Sequence, residues 1–317
     1  MSAFPKYPSI VLLDKRPELF AVKEVIATEK LHGSNFRIHF PMGMTSVEEV
    51  RFGSHEVDYE PGKPFPLGSS VAWWKARPDK LQRMWEVIQS YGYPEVTVFG
   101  EAYGPGIKAK GVKYSTGQEP LFRAFGVMVH ENFLTYDLFS EVAGKMELPV
   151  VHVVWRGEPT RESLDALLEQ PSAEAILNGI VDENNLAEGI VIQSNPLLRN
   201  VFGEWLIAKH KSRRFSEVAH APAPSKEKVA SPADAFVATY VTEGRVLNAV
   251  GRIADNGGTL IKDMRDMPVV LEAVLKDLHK ECEPEWLALG LPESALKSAV
   301  SRVLGPLYRR MLADGSL

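Results

Sequence analysis

Of the 317 residues only one is cysteine, Cys282, so neither an internal disulfide nor a cysteine-built zinc site can form. That scarcity favours a reducing compartment. Long apolar runs are missing too: near the N-terminus the longest purely aliphatic stretch is Ile10 to Leu13, between Lys6 and Asp14, too short for a secretory signal or a membrane span. The expectation is a soluble, cytoplasmic protein with no membrane partner. Positive charge is not in excess. Lys and Arg number 36 against 41 Asp and Glu, a net charge of −5, which argues against a basic coat for bulk nucleic-acid binding but not against a local basic groove. Also absent are GxxxxGK[ST], GxSxG and HExxH, which removes support for a P-loop, a hydrolase nucleophile elbow and a zincin site. Gly104-Pro105-Gly106-Ile107-Lys108-Ala109 formally fits GxGxxA, but Gly111 follows at once and no amphipathic helix opens there to hold a pyrophosphate.

What is present is an ordinary globular composition, with 45% hydrophobic and 24% charged residues and a length that suggests about two domains. Residues 1 to 220 mix short strand-like runs, such as Val96 to Phe99, Gly189 to Ile192 and Trp205 to Ala208, with fewer helical stretches. Asp79 to Gln89 carries Leu81, Met84, Trp85 and Ile88 at helical spacing, and Glu162 to Glu169 reads as a second amphipathic turn or two. Residues 221 to 232, APAPSKEKVASP, have no apolar periodicity and read as a linker. Beyond them, Ala233 to Ala254, Met267 to Cys282 and Glu293 to Met311 place apolar residues three and four apart, with Ser231 and Pro232 as N-cap and first helical residue. The expected fold class is α+β, a first domain over 1–220 followed by a small all-helical domain over 233–317.

The chemically informative segment is Thr28-Glu29-Lys30-Leu31-His32-Gly33-Ser34-Asn35-Phe36. A lysine amine is a poor nucleophile until it loses its proton, which desolvation or neighbouring cations promote, and glycine lets backbone approach a ligand closely. Lys209 and Lys211, two apart on a strand-like run, put both ammonium groups on one face, where they can grip phosphate oxygens. Glu101 and Glu188 offer the hard oxygens that Mg2+ prefers.

The string EKxHGSNF resembles the nucleophile motif of covalent nucleotidyltransferases, in the form found in the RNA ligase 2 family. Further segments resemble that family's other motifs in the family's order: Phe99-Gly100-Glu101 with Gly104-Pro105-Gly106, Leu121 to Phe125, Ala187 to Ile192, and Ala208 to Lys211. The C-terminal stretch, with Tyr240-Val241-Thr242, Arg245 and Val303 to Tyr308, is similar to the helical domain of the phage nick-sealing member. The resemblance implies an adenylyltransferase domain built on antiparallel sheets, ATP and Mg2+ (or Mn2+) as cofactors, and Lys30 as the residue that takes AMP. It implies that Glu29, His32, Asn35, Arg51, Glu101, Phe125, Glu188, Lys209 and Lys211 surround the nucleotide. Phe125 would stack on adenine, Glu101 would hold the ribose hydroxyls, Glu188 would serve the metal, and His32 would help pyrophosphate leave. Arg199, ahead of the last motif, would contact phosphate. Two positions depart from the pattern. Arg51 and His55 compete for the basic residue after the second strand, and Gly126 stands where an aspartate follows the aromatic residue.

The function so implied is ATP-dependent joining of 3′-OH and 5′-phosphate RNA ends at nicks in duplexes, through lysyl-AMP and an adenylylated 5′ end. RNA or RNA/DNA duplex ends would be the partners of a monomer, with Lys108, Lys110, Lys113, Arg213 and Arg214 as local phosphate contacts. A DNA ligase, a GTP-dependent capping guanylyltransferase and a non-catalytic nucleic-acid-binding protein are the competing readings. The family includes phage-encoded ligases, and that origin stays open.

Overall fold

The computed structural model describes residues 4–107, 111–216 and 231–317. Within these the chain divides into two compact units, one up to His210 and one from Lys211 to Leu317. The division falls earlier than the expected end at 220; residues 221–230 of the expected linker, and Lys108 and Lys110, lie outside the described residues.

The first unit contains β1 (Val11–Leu12), β2 (Val25–Glu29), β3 (Ser34–Phe40), β4 (Arg51–Ser54), α1 (Gly68–Lys75), α2 (Pro78–Ser90), β5 (Val96–Tyr103), β6 (Leu121–Val129), β7 (Asn132–Phe133), α3 (Tyr136–Lys145), β8 (Val153–Gly157), α4 (Arg161–Asp165), α5 (Ala173–Leu177), β9 (Gly189–Ser194) and all but the last residue of β10 (Ile207–Lys211). They form two five-stranded sheets, ordered β1-β10-β9-β2-β8 and β4-β3-β5-β6-β7. Neighbouring strands run antiparallel in the second sheet, and β2 is antiparallel to both β8 and β9 in the first, while β1 joins β10 in parallel. The structure is thus α+β on largely antiparallel sheets, as expected.

Alternation along β5 explains how the second sheet is used. Val96, Val98 and Ala102 face one side and join Phe36, Ile38, Leu81, Met84, Ile88, Phe139 and Val142 in the largest core, beneath α1 to α3. Helix α2 begins with Pro78 at its first turn, where a missing N–H costs nothing. On the opposite face, Phe99 packs with Tyr7, Met128 and Ile207, the last from the first sheet, and with Phe125, Val191 and Trp205 at the margin. The two sheets therefore face each other across a thin aromatic layer. Arg37, fully buried, anchors the N-terminal segment there by donating to the carbonyls of Phe4, Pro5 and Ser54 while pairing with Asp58 at 2.8 Å.

The expected run Trp205 to Ala208 is strand only from Ile207; Trp205 instead bridges Arg199 in the β9–β10 hairpin.

The second unit holds α6 (Pro232–Tyr240), α7 (Glu243–Asp255), α8 (Met267–Leu287) and α9 (Glu293–Ala313). Ser231 caps α6 as expected. The stretch Ala233 to Ala254 is two helices, because the Thr242 hydroxyl accepts from Arg245 N–H and starts a new N-terminus. Helix α8 runs on past Cys282 through Pro284. Val237, Val246, Val274, Leu278, Val300 and Leu304 form the core, crossed by a buried Arg245–Asp277 ion pair that the more exposed Arg252 joins from outside. The turn Arg213–Phe215 belongs to this unit: the Thr242 hydroxyl donates to Ser216 O at 2.7 Å, and a Cβ on Gly244 would lie 2.4 Å from that oxygen. No described helix is long and apolar enough to cross a membrane.

Candidate functional site

Strands β2 and β3 lie in different sheets, so Lys30 to Gly33 is the crossover between them. Its backbone is held at three of its four residues. Lys30 N–H donates to Gly189 O at 2.9 Å, His32 N–H to the Tyr114 hydroxyl at 2.7 Å, and Gly33 N–H to Glu101 Oε1 at 3.1 Å. Gly33 is needed for close approach, since a Cβ there would stand 2.3 Å from Ala102 O. The turn thereby carries the Lys30 side chain at a fixed exit from β2.

Glu188, buried just ahead of β9, receives both polar side chains of this turn: Lys30 Nζ lies 2.9 Å from Oε1 and His32 Nδ1 lies 3.1 Å from Oε2. Lys30 keeps 21% of its side chain exposed, so it remains reachable from outside. On the facing sheet, Asn35, Glu101 and Arg123 sit opposite one another on β3, β5 and β6 and form one row across that face. Asn35 Oδ1 is buried without a hydrogen-bond partner among the described residues.

Register separates the two rivals for the basic position. His39 pairs with Arg51, four residues along β3 from Asn35 and so about 13 Å away. Arg51 is occupied there with Asp58 at 3.6 Å and the Phe4 ring. Phe36 pairs with Ser54, so His55 follows at the Asn35 end.

Phe125 is the extra residue of a bulge, since Ala124 pairs with Gly100 and Gly126 with Phe99. Its ring meets Tyr7 edge-on at 4.8 Å. A Cβ at Gly126 would have the Phe133 and Tyr7 rings as its nearest neighbours, at 3.5 to 3.7 Å.

Glu29 is engaged elsewhere than with Lys30. Its carboxylate accepts from the Ser172 hydroxyl at 2.5 Å and from Glu174 N–H at 2.9 Å, and burial pushes its pKa above the usual carboxylate range. Glu174 is itself a buried hub: the Tyr103 hydroxyl donates to it at 2.6 Å, Asn178 at 2.8 Å, and Arg123 and His152 lie 2.6 and 3.1 Å away. Lys209 and Lys211 are both buried on β10, which lies beside β9. Arg199 is not brought to this cluster. It sits on the hairpin beyond the far end of β9, stacked on Trp205 at 4.0 Å.

Sequence reading did not single out Tyr114, Arg123, Ser172, Glu174 or Asn185. Of these only Arg123 carried a local signal, since it lies inside the Leu121 to Phe125 segment. Chemically, the turn sets a reachable amine on a buried bridging carboxylate, an arrangement suited to covalent attack by lysine.

The sequence model of the RNA ligase family matches residues 23–202, which span β2 through the β9–β10 hairpin. A search of curated proteins finds no match. Among solved structures, Naegleria gruberi RNA ligase with pyrophosphate is similar at 16% identity and a TM-score of 0.48, over 67% of this chain and 57% of that one. A variant of the same ligase with ATP and manganese gives 17% identity and 0.49 over the same shares. The chain thus spans 57% of the length of these solved ligases. With more than half of its length matched by the family's sequence model, the chain belongs to the RNA ligase family.

Proposed function

We propose that this chain is an ATP-dependent RNA ligase that seals 3′-OH and 5′-phosphate ends at nicks in duplexes. The observation that carries the reading is the placement of Lys30: a reachable amine on a crossover held through the N–H groups of Lys30, His32 and Gly33, paired with Glu188 at 2.9 Å. Lys30 Nζ loses a proton and bonds to the α-phosphorus of ATP, the bond to the β-phosphate oxygen breaks, and pyrophosphate leaves. A 5′-phosphate oxygen then takes AMP from Lys30, and a 3′-hydroxyl displaces AMP to form the phosphodiester.

The donor set supports this ligand. Asn35 Oδ1, buried without a donor among the described residues, can accept from a nucleoside N–H or hydroxyl, and Glu101 in the same row can hold ribose hydroxyls. Phe125 lies in the aromatic layer where a base could stack. Lys209 and Lys211 would grip phosphate, and His32, fixed against Glu188, would assist the leaving pyrophosphate. Among the described residues no group of three or more His, Cys, Asp or Glu could by itself hold a metal. A Mg2+ or Mn2+ ion at Glu188 would complete its shell with water and phosphate oxygens and stabilise charge on the phosphates.

The residues up to 220 would serve as the adenylyltransferase domain, and the helices of 233–317 would grip the duplex beyond the break, in a monomer. The test offers matched nicked duplexes with RNA or DNA on each side, and single-stranded ends, with labelled ATP or GTP. Sealing of RNA nicks with ATP is expected. Sealing confined to DNA, or labelling by GTP alone, would replace the reading with a DNA ligase or a capping enzyme.

A further inference from the structure

We infer that Tyr114 and Asn185 are positioning residues that lock the Lys30–His32 turn against Glu188, an inference that rests on the ligase reading above. The contacts close a circuit. The Tyr114 hydroxyl accepts His32 N–H at 2.7 Å. The next residue back, Lys113, is gripped through its backbone by the Asn185 side chain: Lys113 N–H donates to Oδ1 at 2.9 Å, and Nδ2 donates to Lys113 O at 2.7 Å, as a neighbouring strand would. Asn185 stands three residues ahead of Glu188 and is fixed in turn by its own N–H to Asp182 O at 3.0 Å and by its carbonyl, which accepts from Ser172 N–H at 3.0 Å. Glu188 returns to His32 through Nδ1 at 3.1 Å and to Lys30 at 2.9 Å.

Both clamps are buried, Tyr114 at 3% and Asn185 at 8% exposure, so water does not compete for these bonds. The Tyr114 ring is seated edge-on against Tyr103 at 5.0 Å, which leaves its hydroxyl little freedom to leave His32. Burial, and the nearby carboxylates of Glu29, Glu188 and Glu101, hold its ionisation well above the usual phenol value, so it stays a neutral hydroxyl. Lys30 Nζ and the Glu188 carboxylate therefore keep one relative position, and a displacement of about 1 Å between reacting groups can cost roughly a hundredfold in rate.

The test compares full-length Tyr114→Phe, Asn185→Ala and the double variant in single-turnover labelling with α-labelled ATP, with Lys30→Ala and thermal unfolding alongside. Tyr114→Phe keeps the ring and removes only the acceptor. Expected are rates at saturating ATP about tenfold or more below wild type in each single variant. The ATP concentration for half-maximal rate should stay within about twofold, and the double variant should fall by less than the product of the single losses. A folded Tyr114→Phe protein that labels at the wild-type rate overturns the inference, as do fully multiplicative losses in the double variant. Should Tyr114→Phe fail to fold, Asn185→Ala decides alone, a wild-type rate overturning the inference. Labelling that survives Lys30→Ala would instead overturn the ligase reading itself.

Discussion

Glu188 gives one carboxylate oxygen to Lys30 Nζ at 2.9 Å and the other to His32 Nδ1 at 3.1 Å, so a single buried side chain sets both polar groups of the nucleophile turn. Attack on phosphorus needs the lysine lone pair, so the partner of that ammonium shapes the first chemical step. Glu188→Gln keeps the shape and removes the charge. Adenylylation is expected to slow by more than tenfold, about 1.4 kcal/mol or more in barrier, with the protein still folded, as read by labelled ATP and thermal unfolding. A wild-type rate would place Glu188 outside the chemistry.

The Glu174 hub is expected to matter for stability. Tyr103, Arg123, His152 and Asn178 converge on its carboxylate, which is 1% exposed. Glu174→Ala leaves a half-buried guanidinium and a buried hydroxyl without their acceptor, and a loss of about 3 kcal/mol in urea unfolding is expected. A loss under about 0.5 kcal/mol, the usual range of surface substitutions, would contradict it.

Glu29 should leave a signature in the pH dependence of stability. Its folded pKa is raised by burial. Between the ordinary carboxylate value and the raised one, the unfolded chain has lost the proton that the folded chain still holds, so this group's contribution to stability falls as pH rises through that window. Glu29→Gln should remove the fall, so that wild type minus variant, measured by urea midpoints from acid to neutral pH, slopes downward. A flat or rising difference would contradict the assignment.

Register places His55, rather than Arg51, at the Asn35 end of the β3–β4 pair. His55→Ala should slow self-adenylylation or end joining by about tenfold, whereas Arg51→Ala, paired with Asp58, should stay within about threefold, each being roughly 1.4 kcal/mol or half that in barrier. The reverse order, measured side by side, would return the role to Arg51.

What the sequence made legible were the residues whose chemistry is local. Lys30 with Gly33, Glu101 in its strand, and Lys209 with Lys211 at strand spacing could each be read from a few neighbours. Tyr114 and Glu174 could not, because Tyr114 meets its partner 82 positions away and Glu174 meets Tyr103 across 71, distances over which pairing depends on the fold and not on periodicity. That His55 follows at the Asn35 end of the β3–β4 pair and Arg51 lies at the other is a matter of register, which one-dimensional spacing does not contain. The break between α6 and α7 was missed because apolar spacing continues across it while a single threonine cap divides the backbone.

The central claim is that Lys30 carries AMP. Purified protein is incubated with α-labelled ATP and a divalent cation, denatured and resolved, beside Lys30→Ala and Lys30→Arg. The account predicts a covalent, acid-labile label on the wild type and none on either variant, since a guanidinium stays protonated and cannot replace the amine. A label that persists in Lys30→Ala, or a wild type that takes none from ATP, would contradict it.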